Sequence, residues 1–75
     1  MINMKLRDFL DMYSNKRGIT KINDDNLGRL ATGTAAQIIY GFCRLERSGY
    51  SYSRLWNKEV VSFEFYDNEL CIRVK

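Results

Sequence analysis

Histidine and proline are both absent from this sequence of 75 residues. Without histidine, the chain lacks the commonest general base, the usual partner of a nucleophilic serine or cysteine, and the commonest metal ligand. Two cysteines, Cys43 and Cys71, are too few for a four-cysteine zinc site. The glycine spacings match neither a phosphate-binding loop nor a dinucleotide fingerprint. We therefore expect a protein that is not an enzyme, with no catalytic residues, no cofactor and no bound metal.

Two pairs of aspartates are the remaining candidates for acid–base chemistry. Asp8 and Asp11 lie three positions apart in a predicted helix, and Asp24 and Asp25 are adjacent in a predicted turn. A catalytic pair needs one carboxyl group whose pKa is raised in a closed site. Both pairs are expected to be solvated, which argues against catalysis by either of them.

Long apolar runs are also missing, and none approaches the roughly 18 residues of a membrane span. Residues 1–14 alternate charged and apolar side chains, without the apolar block and cleavage site of a signal peptide. Small secreted domains usually carry more cysteine pairs, so Cys43 and Cys71 are interpreted as reduced thiols. The sequence therefore predicts a cytoplasmic protein with no membrane partner, forming a single domain over residues 1–75.

The first half of the chain predicts a helix followed by a hairpin. Leu6, Phe9, Leu10 and Tyr13 keep helical spacing within residues 4–14, with Asn3 as the expected N-cap and Gly18 as the stop. Residues 18–32 are interpreted as a hairpin about Asp24-Asp25. A two-residue loop there would pair Ile22 with Leu27 and Ile19 with Leu30. Because those pairs fall on opposite faces of the hairpin, its register is left open.

A second helix is predicted over residues 34–47, where the apolar side chains again keep helical spacing. Thr32 or Thr34 is expected to cap its start, and Ser48-Gly49 to end it. Gly41 weakens the helix interior, so an earlier end stays open. Residues 50–58 have no clear period and are interpreted as a loop.

The clearest pattern is a hairpin over residues 59–75, in which Asp67-Asn68 forms a two-residue turn between alternating runs. That turn predicts three cross-strand pairs on one core face: Phe65 with Leu70, Phe63 with Ile72, and Val61 with Val74. The other face would carry Ser62, Glu64, Tyr66, Glu69, Cys71 and Arg73. The element order α-β-β-α-β-β predicts an α+β fold, an antiparallel sheet with two helices on one face.

Charge and aromatic side chains are concentrated in residues 40–58. Four basic residues stand there against one acid, Glu46, so this segment carries the whole net charge of +3. Aromatic and arginine side chains are enriched at binding hot spots, and the same mixture suits stacking and phosphate contact on single-stranded nucleic acid. Tyr40 and Phe42 are expected to lie partly in the core. The predicted partner-binding residues are Arg44, Arg47, Tyr50, Tyr52, Arg54, Trp56 and Lys58. The alternative is that the aromatic rings pack the core and the charges only solubilise the protein.

Three segments resemble small accessory proteins of phages and conjugative elements in low-GC Gram-positive bacteria. They are residues 6–11 (LRDFLD), residues 19–24 (ITKIND) and residues 57–74 (NKEVVSFEFYDNELCIRV). Similar mobile-element proteins include anti-CRISPR inhibitors, which bind a host effector and block its nucleic-acid channel or its moving parts. The resemblance carries over no catalytic residues. The chain departs from the family in a longer aromatic and basic stretch over residues 43–56, where a target-specific surface often lies.

The resemblance implies a cytoplasmic inhibitor of a host defence effector, such as a Cas9-type nuclease with its guide RNA, acting by occlusion or conformational locking. The charge of +3 argues against acidic mimicry of DNA. Two alternatives stay open. One is a small basic nucleic-acid-binding protein, whose affinity would fall steeply with salt. The other is a homodimeric regulatory adaptor, because so short a chain buries a small core.

Overall fold

The computed structural model describes residues 4–75. These residues are 25% helical and 42% strand, which confirms the predicted α+β class. The predicted order of elements is kept in outline, but a short strand and a further helix stand between the second helix and the final hairpin. The helices are α1 (Leu6–Met12), α2 (Ala35–Tyr40) and α3 (Tyr52–Trp56). The strands are β1 (Ile19–Asp24), β2 (Gly28–Thr34), β3 (Arg44–Leu45), β4 (Val60–Tyr66) and β5 (Glu69–Val74).

The strands form one mixed sheet in the order β3-β2-β1-β5-β4. The prediction of an antiparallel sheet is wrong at its centre, where β1 and β5 run parallel. Each hairpin is antiparallel within itself, as its turn requires. The chain between the two hairpins, through α2, β3 and α3, brings the last strand of the second hairpin, β5, beside the first strand of the first hairpin, β1. The sequence pattern of a hairpin does not indicate which of its strands will pair with another hairpin.

The core lies between the helices and one face of this sheet. Alternate residues of the two central strands point into it, and Leu6 and Leu10 of α1 cover them together with Ile38 of α2 and Leu55 of α3. The helices therefore share one face, as predicted, and the other sheet face is open to solvent. Side chains of the central strands that are buried on the helix side are Thr20, Ile22, Asp24, Leu70, Ile72 and Val74.

The β1–β2 hairpin has a three-residue loop, because Asp24 pairs with Gly28. Gly28 has a φ of 79°, the left-handed conformation that glycine adopts without a steric penalty. The register of a two-residue loop does not form, and Ile22 pairs with Ala31 instead of Leu27.

The second helix ends earlier than residue 47. Thr34 caps α2. Its hydroxyl accepts a hydrogen bond from the backbone N–H of Gln37 at 3.1 Å, and the backbone N–H of Thr34 donates to the side-chain oxygen of Gln37 at 2.9 Å. Gly41 follows Tyr40 with a φ of 78° and ends the helix. The helix predicted over 34–47 is therefore wrong beyond Tyr40, where the chain turns to form β3 at the sheet edge.

The segment predicted to be a loop, residues 50–58, contains α3. The hydroxyl of Ser51 caps this helix by accepting the N–H of Arg54 at 3.2 Å. Only five residues are helical, which is too short for an apolar period to be visible in the sequence.

The final hairpin is confirmed at its turn, where Asp67 and Asn68 both have positive φ. Phe65 pairs with Leu70 and Phe63 with Ile72, as predicted. The third predicted pair is wrong, because a bulge at Val61 leaves Val60 opposite Val74. Leu70, Ile72 and Val74 lie in the core, but Phe63 and Phe65 are 45% and 60% exposed. They belong to an edge strand that α1 covers only in part.

In α1, Leu6 and Leu10 are buried, which confirms the predicted helix and its apolar stripe. Asn3 lies outside the described residues. Lys5 occupies the N-cap position and makes no capping hydrogen bond with its side chain.

Candidate binding surface

The predicted partner-binding residues divide into two groups in the fold. Four of them are partly buried and turned toward neighbouring elements. Three arginines are exposed. The segment 40–58 therefore does not present its aromatic and basic side chains together on one surface. The partly buried group is Tyr50, Tyr52, Trp56 and Lys58, and the exposed group is Arg44, Arg47 and Arg54.

Tyr52 and Trp56 attach α3 to the end of α2. The indole N–H of Trp56 donates to the carbonyl oxygen of Ile38 at 2.8 Å. The hydroxyl of Tyr52 donates to the carbonyl oxygen of Cys43. Burial, with a further contribution from Cys43, raises the pKa of Tyr52 to about 12, which favours the protonated form of the hydroxyl. Both side chains therefore connect α3 to α2 and to the residues that follow it.

Lys58 forms an ion pair with Asp24, whose carboxylate oxygen lies 3.1 Å from the ammonium nitrogen. Burial by itself would raise the pKa of Asp24, but the N–H of Asn26, the Lys58 ammonium and the N–H of Leu27 together lower it. The hydrogen bond to Asp24 likewise raises the pKa of Lys58. The expectation that Asp24 is solvated is wrong, because its carboxylate stabilises the loop and holds Lys58.

Tyr50 packs against the core, and the guanidinium of Arg54 lies over its ring at 4.6 Å. Such a cation–π contact leaves the outer face of the guanidinium open to solvent. Arg44 and Arg47 are exposed, and within the described residues no carboxylate lies within 4.0 Å of any of these three arginines. Their charges are the part of the predicted site that remains available.

A second surface was missed because Tyr40 and Phe42 were expected to be partly in the core. They are instead 72% and 80% exposed, and they flank Gly41 at the end of α2. A Cβ at Gly41 would lie 3.7 Å from the ring of Tyr52 and 3.8 Å from that of Trp56, so the backbone here rests on those rings. On α1, the guanidinium of Arg7 lies 4.9 Å from the ring of Trp56.

We refer to Arg7, Tyr40, Phe42 and Trp56 as the aromatic–arginine patch. Its members come from α1, the end of α2 and α3, so no single stretch of sequence contains it. Within α2, Ala35, Ile38 and Ile39 form the buried stripe, and Tyr40 is the next residue off that stripe. The exposure of Phe42, beyond the helix end at Gly41, is set by the tertiary structure.

The open face of the sheet is polar and carries two ion pairs. Lys21 meets Glu69 at 2.8 Å, and Arg73 meets Asp25 at 3.1 Å. A shallow depression of about 350 Å³ lies there, lined in part by Cys71 and Arg73. Exposed pairs of this kind contribute little energy, and each pair is neutral by itself. The face therefore ranks below the aromatic–arginine patch as a contact surface.

Among residues 4–75, no cluster of three or more histidine, cysteine, aspartate or glutamate side chains is placed to hold a metal ion. Cys43 is buried beside Gly33 of β2, and burial raises the pKa of its thiol. No helix in the described part of the chain is long and apolar enough to cross a membrane. The chain matches no protein-family model, and neither curated proteins nor solved structures show a significant similarity to it.

Proposed function

We propose that this chain is a protein-binding module and that the aromatic–arginine patch is its contact surface. The observation that carries the proposal is the exposure of both Tyr40 and Phe42, which flank Gly41 at the end of α2. Covering the ring of Phe42 with a partner would recover most of the roughly 1.5–3 kcal/mol that full burial of such a side chain contributes. Aromatic rings beside an arginine are the residue types that dominate binding hot spots.

The base under these rings is held in place before any partner arrives. Gly41 rests on Tyr52 and Trp56, and the indole hydrogen bond to Ile38 ties α3 to α2. A surface that is already ordered loses less conformational entropy on binding, so more of its contact energy appears as affinity. The partly buried rings of Tyr52 and Trp56 thus support the segment that carries the exposed rings of Tyr40 and Phe42.

The partner that we propose is a host defence effector, in keeping with the resemblance to mobile-element accessory proteins. A Cas9-type nuclease with its guide RNA is the specific candidate, with inhibition by occlusion or by locking of a conformation. The exposed arginines Arg44, Arg47 and Arg54 would then meet an acidic protein surface or the nucleic acid that the effector holds.

The test is a binding measurement with the guide-loaded effector at low and at physiological salt. Replacing both exposed rings, Tyr40→Ala with Phe42→Ala, is expected to weaken binding by about 2 kcal/mol, roughly 30-fold in Kd. Tyr66→Ala is the matched control, because Tyr66 is 69% exposed on the opposite face of the sheet. Equal affinity of the double variant and the unaltered protein would refute the patch, and absence of binding to the effector would refute this partner.

Direct nucleic-acid binding is the second candidate, and the exposed arginines without carboxylate partners favour it. It predicts affinity for bare single-stranded nucleic acid that falls steeply with added salt. Arg54→Gln would lower the slope of log Kd against log salt by about one if this arginine contacts a phosphate. Absence of binding at low salt would remove this candidate.

A further inference from the structure

The two edges of the sheet differ in how well they are protected from pairing with another strand. At one edge, β3 has only two residues, and one of them is the exposed Arg44. Short length and charge are the usual protections of an edge strand. At the other edge, β4 has seven residues and carries Phe63 and Phe65 half-exposed. The second edge therefore lacks the protection that the first one has.

The outer side of β4 is open over residues 62–66, which is an ordinary length for a strand. Before this stretch, the N–H of Val60 donates to the carbonyl oxygen of Met4 at 2.8 Å, so the edge is covered up to that point. Within residues 4–75, no backbone hydrogen bond reaches the stretch from its outer side. In a hairpin with a two-residue turn, the residues next to the turn bond each other and every second residue faces outward. The peptide groups of Phe63 and Phe65 therefore point away from β5.

An apolar groove lies beside this stretch, between α1 and β4. Phe63 contacts Phe9 with ring centroids 4.9 Å apart, and Phe65 contacts Tyr13 at 5.9 Å. The groove has a volume of about 190 Å³, and the exposed side chain of Met12 also lines it. A cavity of roughly 150 Å³ holds a benzene ring, so the groove has room for one apolar side chain.

β4 and its turn carry only acidic charges, although the net charge of the chain is +3. Residues 60–68 include Glu64 and Asp67, both exposed, and no basic residue. Among the described residues, no ammonium or guanidinium group lies within 4.0 Å of either carboxylate. Helix α1, across the groove, adds two exposed aspartates and one arginine, Arg7, whose guanidinium lies over the ring of Trp56. The open edge therefore favours a basic occupant.

We infer that this edge binds an extended segment of a partner protein, in which apolar residues alternate with basic ones, as an added antiparallel strand. The residues of the segment opposite Phe63 and Phe65 exchange peptide hydrogen bonds with them, and their side chains lie on the groove side. The residue between these two stands opposite Glu64 in the closer type of cross-strand pair, where a lysine or arginine forms an ion pair. Strand addition of this kind takes its affinity from main-chain bonds and its specificity from alternate side chains.

The charge at the centre of the stretch distinguishes such a segment from a second copy of this chain. Two β4 strands that pair over residues 62–66 set Glu64 against Glu64, and like charges directly opposite each other are destabilising. A basic residue at the same position is attracted instead. The chemistry of the edge thus selects a partner segment of opposite charge.

Synthetic peptides test this pairing, with binding followed by amide chemical shifts in NMR. A peptide of about seven residues in which valine alternates with lysine is expected to bind with a Kd of about 1 mM or below and to shift the amides of Phe63 and Phe65. A peptide in which valine alternates with glutamate should bind about fivefold more weakly or worse. The valine–lysine peptide with N-methyl groups on its valine amides should not bind, because those amides can no longer donate to β4.

Three variants of the protein locate the site and its charge preference. Phe65→Lys removes one ring of the groove and is expected to weaken binding of the valine–lysine peptide by about tenfold or more. Ile19→Lys is the matched control, because it places the same charge at a side chain that is 40% exposed on β1, two strands away from β4, and it should leave binding unchanged. Glu64→Lys should reverse the preference, so that the valine–glutamate peptide binds more tightly than the valine–lysine peptide.

Each part of the inference has an outcome that overturns it. The added strand is refuted if the valine–lysine peptide at about 5 mM shifts no amide of β4, or if its N-methylated form binds equally well. The basic character of the partner is refuted by equal affinity for the two peptides. Slow hydrogen exchange of Phe63 and Phe65 without peptide would mean that the chain itself covers the edge, or a second copy if the protection rises with protein concentration. No effector and no residue of the aromatic–arginine patch takes part, so these outcomes are independent of the proposed function.

Discussion

Removal of the ammonium group in Lys58→Met is expected to destabilise the protein through Asp24. The Asp24 side chain is only 3% exposed, and Lys58 is the one cation paired with it among the described residues. Breaking a buried ion pair by deleting one partner costs roughly 3–5 kcal/mol, because the remaining charge is left uncompensated.

The expected loss here is smaller, about 2 kcal/mol, for two reasons. The Lys58 side chain is 21% exposed, so water already screens the pair. Asp24 also keeps the N–H groups of Asn26 and Leu27 at 2.7 and 3.0 Å. In a domain of this size such a loss lowers Tm by roughly 8–16 °C. Thermal and urea unfolding followed by circular dichroism measure it.

The pH dependence identifies the cause. The pKa of Asp24 is lowered in the folded protein, so the carboxylate contributes stability above its ordinary value of 3.8, and this contribution is lost as pH falls through the folded pKa. In Lys58→Met the unpaired carboxylate is relieved by protonation. The difference in unfolding free energy between the two proteins should therefore shrink from pH 7 toward pH 3. A difference that stays constant over this range would refute the reasoning, because lost packing of the lysine stem does not titrate.

Three further predictions concern local structure. Gly41→Ala is expected to cost about 1 kcal/mol, because an alanine must adopt the left-handed φ of 78° although its Cβ has room; an unchanged urea midpoint would contradict this. Thr34→Ala removes the cap of α2 and should also cost about 1 kcal/mol, whereas Thr32→Ala, which alters no cap, should cost less; equal losses would contradict the capping role. Because burial raises the pKa of Tyr52 to about 12, the stability difference between Tyr52→Phe and the unaltered protein should be fully present below pH 10 and shrink as pH rises from 10 to 12. Urea unfolding at several alkaline pH values measures it, and a constant difference would count against the buried hydroxyl.

The candidate surface shows how far amino-acid composition alone can locate a binding site. The excess of aromatic and basic residues in 40–58 predicts one continuous contact surface, but the structure leaves Tyr50, Tyr52, Trp56 and Lys58 partly buried and exposes only Arg44, Arg47 and Arg54 of the predicted residues. The hydroxyl of Tyr52 donates to the carbonyl oxygen of Cys43, and the indole N–H of Trp56 donates to that of Ile38. These contacts turn both rings inward. Tyr40 and Phe42, on either side of the helix end at Gly41, are exposed instead. Exposure of an aromatic residue depends on what packs beside it, and residue type alone does not report that.

The sequence predicted those elements that are stabilised by residues close to one another along the chain. The turn at Asp67-Asn68 and the helical period of α1 were visible in the sequence, and Thr34 was one of two candidates for the cap of α2, with Thr32 as the other. The absence of histidine is likewise a property of the sequence alone.

Tertiary structure decided the features that depend on which elements become neighbours. The parallel pairing of β1 with β5 and the half-exposure of Phe63 follow from the placement of the second hairpin beside the first. The helix α3 is a single short segment that contacts both α1 and α2, and the aromatic–arginine patch joins residues of all three helices with Phe42 from the turn after α2. Pairing partners that are distant in sequence leave no period in the residues themselves, because the free energy that selects them is the burial of surfaces in the assembled fold.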